Sequence, residues 1–131
     1  MAKRRLRPSA PRLKSLAVAV ASLLAGSAFA NPSGPSVVAG SASITSAGNT
    51  LTVTNAPGTI INWQAFSIGR DEVTRFVQQG ATSAVLNRVT GAESSAILGQ
   101  LLSNGRVFLV NPNGVMIGAG ARIDVAGFVA S

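Results

Sequence analysis

A chain of 131 residues with no cysteine and no histidine excludes disulfide staples, thiol chemistry, zinc sites built on those ligands and any catalytic triad that needs an imidazole. Its formal net charge of +7 suggests a nucleic-acid binder until the charges are placed, because Lys3, Arg4, Arg5, Arg7, Arg12 and Lys14 hold six of the eleven cations. The remainder carries five arginines against four acids, a net charge of +1, and offers no basic face to a phosphate backbone, so no nucleic-acid partner is expected.

The N-terminal basic run reads as the first part of a secretory signal. Leu16 to Ala25 supplies the apolar stretch, and Ala28-Phe29-Ala30 supplies the small-x-small cleavage site, with Asn31 as the new N-terminus. The apolar stretch is too short to span a bilayer with ease, which favours a cleaved signal over an uncleaved anchor. Residues 1–30 are therefore expected to be a signal peptide, and residues 31–131 one small exported domain.

Asn31 to Gly40 is a leading segment rich in Pro, Gly and Ser, with order expected from Val37. Ala42 to Thr54 places Ile44, Leu51 and Val53 in partial alternation around a turn at Gly48-Asn49, the pattern of strands. Asn55-Ala56-Pro57-Gly58 is a turn. Thr59 to Ile68 is a strand pair or a bent strand holding Trp63 and Phe66, both expected in the core or a cap. Asp71 to Gln79 fits a helix through Val73, Phe76 and Val77, and a strand equally well through Val73, Arg75 and Val77. Ala84 to Val89 is a strand that Thr90-Gly91 turns. Ser94 to Leu102 spaces Ile97, Leu98, Leu101 and Leu102 like one face of a short helix or 3₁₀ turn.

From Arg106 the chain alternates short apolar runs with corners. Val107-Phe108-Leu109-Val110 reads as a strand with both faces covered, and Asn111-Pro112-Asn113-Gly114 stops it: Pro112 fixes φ, and Asn113 and Gly114 suit the turn's end. Val115-Met116-Ile117 restarts the chain, Gly118 and Gly120 bend it, and Ile123 and Val125 alternate with Arg122 and Asp124. A strand–corner–strand order of this kind belongs to a chain winding into a coil.

The stretch GRVFLVNPNGVMIGAGARIDVAGFVAS resembles the secretion-domain core of the filamentous haemagglutinin family, the large exoproteins of two-partner secretion. INWQAFSIG from Ile61, VLNRVTG from Val85 and SAILGQL from Ser95 match it too, in one continuous order across Val37 to Ser131. The resemblance implies an all-β, right-handed parallel β-helix (a solenoid) with an N-terminal cap, and it favours the strand for Asp71–Gln79. A repeat of roughly 20 residues would place about four coils in the exported chain. Val107, Leu109, Val115, Ile117, Ile123 and Val125 are the expected inward set. Because the chain ends on an apolar strand start rather than a polar cap, the solenoid is expected to be incomplete at the C-terminus.

Function follows from the same resemblance. It implies recognition by an outer-membrane barrel transporter with periplasmic recognition domains, export to the cell surface or beyond, and host-cell surface ligands engaged through a downstream passenger. Asn111, Pro112, Asn113 and Gly114, with Asn87 and Arg88, are the implied recognition residues. Each has a plainer reading beside it: the first four as a structural corner, Arg88 as a donor to neighbouring turn carbonyls. No cofactor or metal is implied. Asp71, Glu72, Glu93 and Asp124 are too few and too scattered for a β-helix carbohydrate enzyme, and a self-contained surface adhesin remains the second reading. Sequencing the N-terminus of the exported protein is expected to start at Asn31; a chain beginning at Met1 would refute the signal assignment.

Overall fold

The computed structural model describes residues 30–131; the signal segment, Ala28 included, lies outside them apart from Ala30. Among the described residues there are twelve strands and no helix: β1 (Ser36–Ala39), β2 (Ala42–Ala47), β3 (Thr50–Asn55), β4 (Thr59–Trp63), β5 (Val73–Val77), β6 (Ala84–Val89), β7 (Ser95–Ile97), β8 (Gln100–Ser103), β9 (Arg106–Val110), β10 (Val115–Ile117), β11 (Arg122–Asp124) and β12 (Gly127–Ala130). They sort into three faces. One five-stranded sheet has the order β1-β4-β6-β9-β12, a second the order β11-β8-β5-β3-β2, and β7 pairs with β10 on the third. All pairings among β3 to β12 are parallel, so the chain climbs one level each time it passes the three faces, through about four turns. The fold is a parallel β-solenoid.

Parallel pairing in register stacks each side chain over its counterpart one coil away. Alternation along a strand then sends every second residue inward. The inward columns are Leu51–Thr74–Leu101–Ile123 and Val53–Phe76 on the β3 face, with Thr59–Val85–Val107–Phe128 and Ile61–Asn87–Leu109 on the β4 face. Ile68, Ile97 and Ile117 form the column of the third face. At the centre Trp63 meets Phe66 edge-on, with ring centroids 5.6 Å apart, and Phe66 stacks on Phe76 at 6.4 Å. Both geometries suit the aromatic quadrupole.

The first coil is closed by a reversed one. Ser33 bridges Ala65, β1 lies antiparallel on β4, and β2 lies antiparallel on β3 through the turn at Gly48-Asn49. The chain thus runs once around the N-terminal end in the opposite sense before turning into β3. Ala42 and Ile44 of this cap pack on the core beneath. Order begins earlier than Val37: Pro32 is buried, and the Asn31 side chain donates to the Asn49 carbonyl at 2.9 Å and accepts from the Thr74 hydroxyl at 3.0 Å.

Three further sequence expectations differ. Ser94–Leu102 is not helical: β7 and β8 meet at a corner at Leu98-Gly99, and the corner resets the strand alternation so that apolar residues fall at a helix-like spacing. The repeat is not uniform, running from 20 residues (Ser95 under Val115) to 29 (Ile68 under Ile97), since the segments between paired positions differ in length. Ile117 occupies its inward column but stays 47% exposed, because no later strand of the described residues covers it. Asp71–Gln79 resolves as β5, and Thr59–Ile68 as β4 followed by a corner. Far-ultraviolet circular dichroism of residues 31–131 is expected to be strand-dominated. Phe76→Ala, which empties the centre of the aromatic stack, is expected to cost about 3–5 kcal/mol in a denaturant titration.

Candidate functional site

The Asn111–Gly114 corner is built by its own polar groups. The Asn111 side chain is 2% exposed. Its Oδ1 accepts from the Asn113 amide at 2.9 Å, an Asx turn that sets the bend. Its Nδ2 donates at 3.0 Å to both the Glu93 carbonyl and the Ser95 hydroxyl of the corner one coil below. The Gly114 amide closes the turn on the Asn111 carbonyl at 2.9 Å, with Gly114 at φ 105°, where a side chain would be strained. Pro112 and Asn113 stand exposed at the tip, and the Asn113 side chain reaches down to the Gly91 carbonyl at 3.0 Å.

That lower corner is equally specified. A Cβ on Gly91 would run into the carbonyl oxygen of Gln64, so only glycine lets the second corner sit on the first. Gln64 in turn donates its amide to the Ser33 carbonyl of the cap at 3.0 Å. One column of corners therefore links the cap, Gln64, Gly91 and the Asn111–Gly114 turn.

Asn87 and Arg88 part company. Asn87 is wholly buried in the middle of the β4-face column, where its Oδ1 accepts from the Trp63 indole N–H at 2.9 Å and its Nδ2 donates to the Phe108 carbonyl at 3.2 Å. A buried amide satisfied on both ends fixes the level at which coils stack, since a slip would leave the indole N–H unpaired. Arg88 points outward next to the corner column, with its Nε donating to Asn62 Oδ1 at 3.0 Å. The structure thus gathers Arg88, Pro112 and Asn113 on one exposed edge and keeps Asn87 and Asn111 inside. The strand parity Val85–Asn87–Val89 already carried the signal for Asn87, as the three share one face. Ser95, Glu93, Gly91 and Gln64 were not singled out; Gly91 was legible only as a turn residue.

Among the described residues no three Asp, Glu, His or Cys side chains come together to hold a metal. Their single ion pair, Arg122–Asp124 at 3.2 Å, lies exposed on the β3 face. The corner itself is built from side-chain amides, a hydroxyl and backbone groups.

Residues 28–131 match the TPS secretion domain family. The chain belongs to that family. Its relatives include a heme/hemopexin-binding protein of Haemophilus influenzae, 40% identical over 125 residues that make up 92% of this chain and 14% of that protein. A second protein of the same description and species is 45% identical over 71 residues, 54% of this chain and 8% of that one. The chain therefore spans a small fraction of the relatives it matches. The crystal structure of the HMW1 secretion domain from Haemophilus influenzae superposes with a TM-score of 0.75 at 44% identity, over 76% of this chain and 27% of that one. The Asn111, Gly91 and Asn87 geometry thus belongs to a two-partner secretion domain, whose exoproteins cross the outer membrane to the cell surface or the medium.

Asn87→Ala is expected to leave the Trp63 indole N–H buried and unpaired and to take a second donor from the Phe108 carbonyl, at roughly 1–3 kcal/mol for the orphaned indole. Loss of midpoint in denaturant, with the indole fluorescence shifted toward that of solvated tryptophan, would show it.

Proposed function

We propose that residues 31–131 are the unit by which a longer exoprotein is recognised by its cognate outer-membrane transporter, with adhesive or haemagglutinating activity residing in sequence beyond this stretch. The observation that carries the reading is the family match over residues 28–131, within which Asn111–Gly114 forms a specified corner. The signal at residues 1–30 delivers the chain to the periplasm and is removed before Asn31. There the unfolded chain offers the same alternating segments that later become strands, and its unpaired backbone edges suit strand addition to the transporter's periplasmic domains. Once outside, stacking of the coils opposes back-sliding, because reopening the apolar columns costs free energy.

Two features support keeping ligand capture apart from this unit. The relatives are described by heme and hemopexin binding. A haem iron is held by His, Cys, Met or Tyr, and residues 31–131 contain only Met116 of these. The small polar corner is also too sparse for a host-protein interface of standard size.

The test separates recognition from folding. Asn113→Ala removes one exposed hydrogen bond, worth about 1 kcal/mol or less. It is expected to lower the amount exported severalfold while synthesis, signal cleavage and the denaturation midpoint hold. Pro112→Ala is expected to act the same way. Unchanged export of both variants, in cells that carry the transporter, would count against a recognition role for the corner.

A further inference from the structure

Two corners of the coil carry asparagine followed by glycine: Asn104-Gly105 between β8 and β9, and Asn113-Gly114 between β9 and β10. No other asparagine of the sequence precedes a glycine. Asparagine is chemically labile in water, most of all in this pair. The glycine nitrogen gives up its proton and attacks the asparagine Cγ, a new N–C bond closes a succinimide ring, and the side-chain nitrogen leaves as ammonia. Water then opens the ring at either carbonyl, which yields aspartate or, with the main chain rerouted through the side chain, isoaspartate. Glycine favours the step because it has no Cβ to crowd the attack or to restrict the backbone.

Both asparagines stand exposed, so access to water does not separate them. Their anchoring does. The Asn104 carboxamide is clamped at both ends onto the backbone of one residue in the coil below: its Oδ1 accepts from the Gln78 amide and its Nδ2 donates to the Gln78 carbonyl, each at 2.7 Å. Cyclisation must break both bonds to turn Cγ toward the Gly105 nitrogen. Gly105 itself is buried, and its amide donates to the Ser103 hydroxyl at 3.0 Å, so removing its proton would leave a charge away from water. The corner is held from above as well, with the Gly105 carbonyl accepting from the Ala126 amide at 3.0 Å. Among the described residues the Asn113 carboxamide makes no such paired contact: its Nδ2 donates to the Gly91 carbonyl at 3.0 Å and its Oδ1 is free. Gly114, whose amide bonds the Asn111 carbonyl at 2.9 Å, is exposed.

The clamp on Asn104 exists only while the β8–β9 corner lies on the coil of Gln78. An unstacked chain has neither bond, and the two pairs are then chemically alike. The stacked corner also has no place for the products. Aspartate at this position would set a carboxylate oxygen against the Gln78 carbonyl with no proton between them. Isoaspartate would lengthen the main chain beside Gly105, where even an added Cβ would come within 2.6 Å of the Gln78 side chain and 3.0 Å of the Ser83 carbonyl oxygen. That side chain cannot step aside freely, since its amide is bonded to the Ser103 hydroxyl and the Arg106 carbonyl.

We propose that Asn104 is a deamidation site reserved for the unstacked chain: it cyclises while the coils are apart, is protected once they stack, and when modified keeps the β8–β9 corner from closing on Gln78. A chain that stays extended too long is thereby marked and left unable to rebuild this corner. The chemistry needs only an unstacked chain, whichever way the protein is exported.

The exported protein is purified and incubated at mildly alkaline pH, one portion folded and one in guanidinium chloride, with deamidation at each asparagine followed by peptide mass mapping. Asn104 and Asn113 are expected to deamidate at similar rates in denaturant. In the folded protein Asn104 is expected to slow by about tenfold or more, because both Gln78 bonds must open first, and to slow more than Asn113 does. Asn104→Asp is expected to lower the denaturation midpoint further than Asn113→Asp does, and a failure of Asn104→Asp to fold is the same result in stronger form. Equal rates at Asn104 in folded and denatured protein, no deamidation there in denaturant, or an Asn104→Asp midpoint equal to that of the wild type would each overturn the proposal.

Discussion

Each coil of this solenoid satisfies its backbone and buries its apolar side only against the coils on either side. That single constraint, parallel pairing at every level, explains most of the molecule. It forces residues of successive coils into columns, so a side chain is chosen less for its sequence neighbours than for the residues above and below it. Trp63, Asn87 and the Phe108 carbonyl are the clearest case: three coils meet in one polar contact inside an apolar column. The corners obey the same rule, with Gly91 as small as it is because Gln64 lies directly against it.

The exposed and buried halves of the Asn111–Gly114 corner follow from this. Asn111 must face inward to hold the corner below, and that leaves Pro112 and Asn113 as the tip. A motif conspicuous in sequence therefore divides into residues that shape the turn and residues a partner can touch. In the folded domain the first group holds the corner, whereas in the extended chain proposed to meet the transporter all four residues are open to it.

Strand parity was legible in the sequence because it is local. Ala84–Val89 and Arg106–Val110 alternate inside and outside as their residue types suggest, and the turns at Gly48-Asn49 and Asn111–Gly114 announce themselves through residues with special backbone freedom. What could not be read was the pairing between coils. The repeat varies from 20 to 29 residues, so no fixed period points from Ile68 to Ile97 or from Asn55 to Gln78. The corner network in which Gln78 binds Ser103 and the Arg106 carbonyl has no sequence signature for the same reason. The helical look of Ser94–Leu102 arose where two short strands share a corner, since local spacing cannot tell a turn of helix from a break in alternation.

The reversed first coil gives the molecule a polarity in time. A parallel coil can be added only on the open edges of β3 and β4, because the cap already occupies the other edges in the opposite sense. The β2–β3 hairpin needs only neighbouring residues, and each later coil must close a loop of similar length, so the entropy cost per added level stays nearly constant. Assembly can then proceed from the N-terminal cap, with each new coil laid on one already in place. A chain that leaves a narrow pore segment by segment gains from such an order, for no strand has to wait for a distant partner.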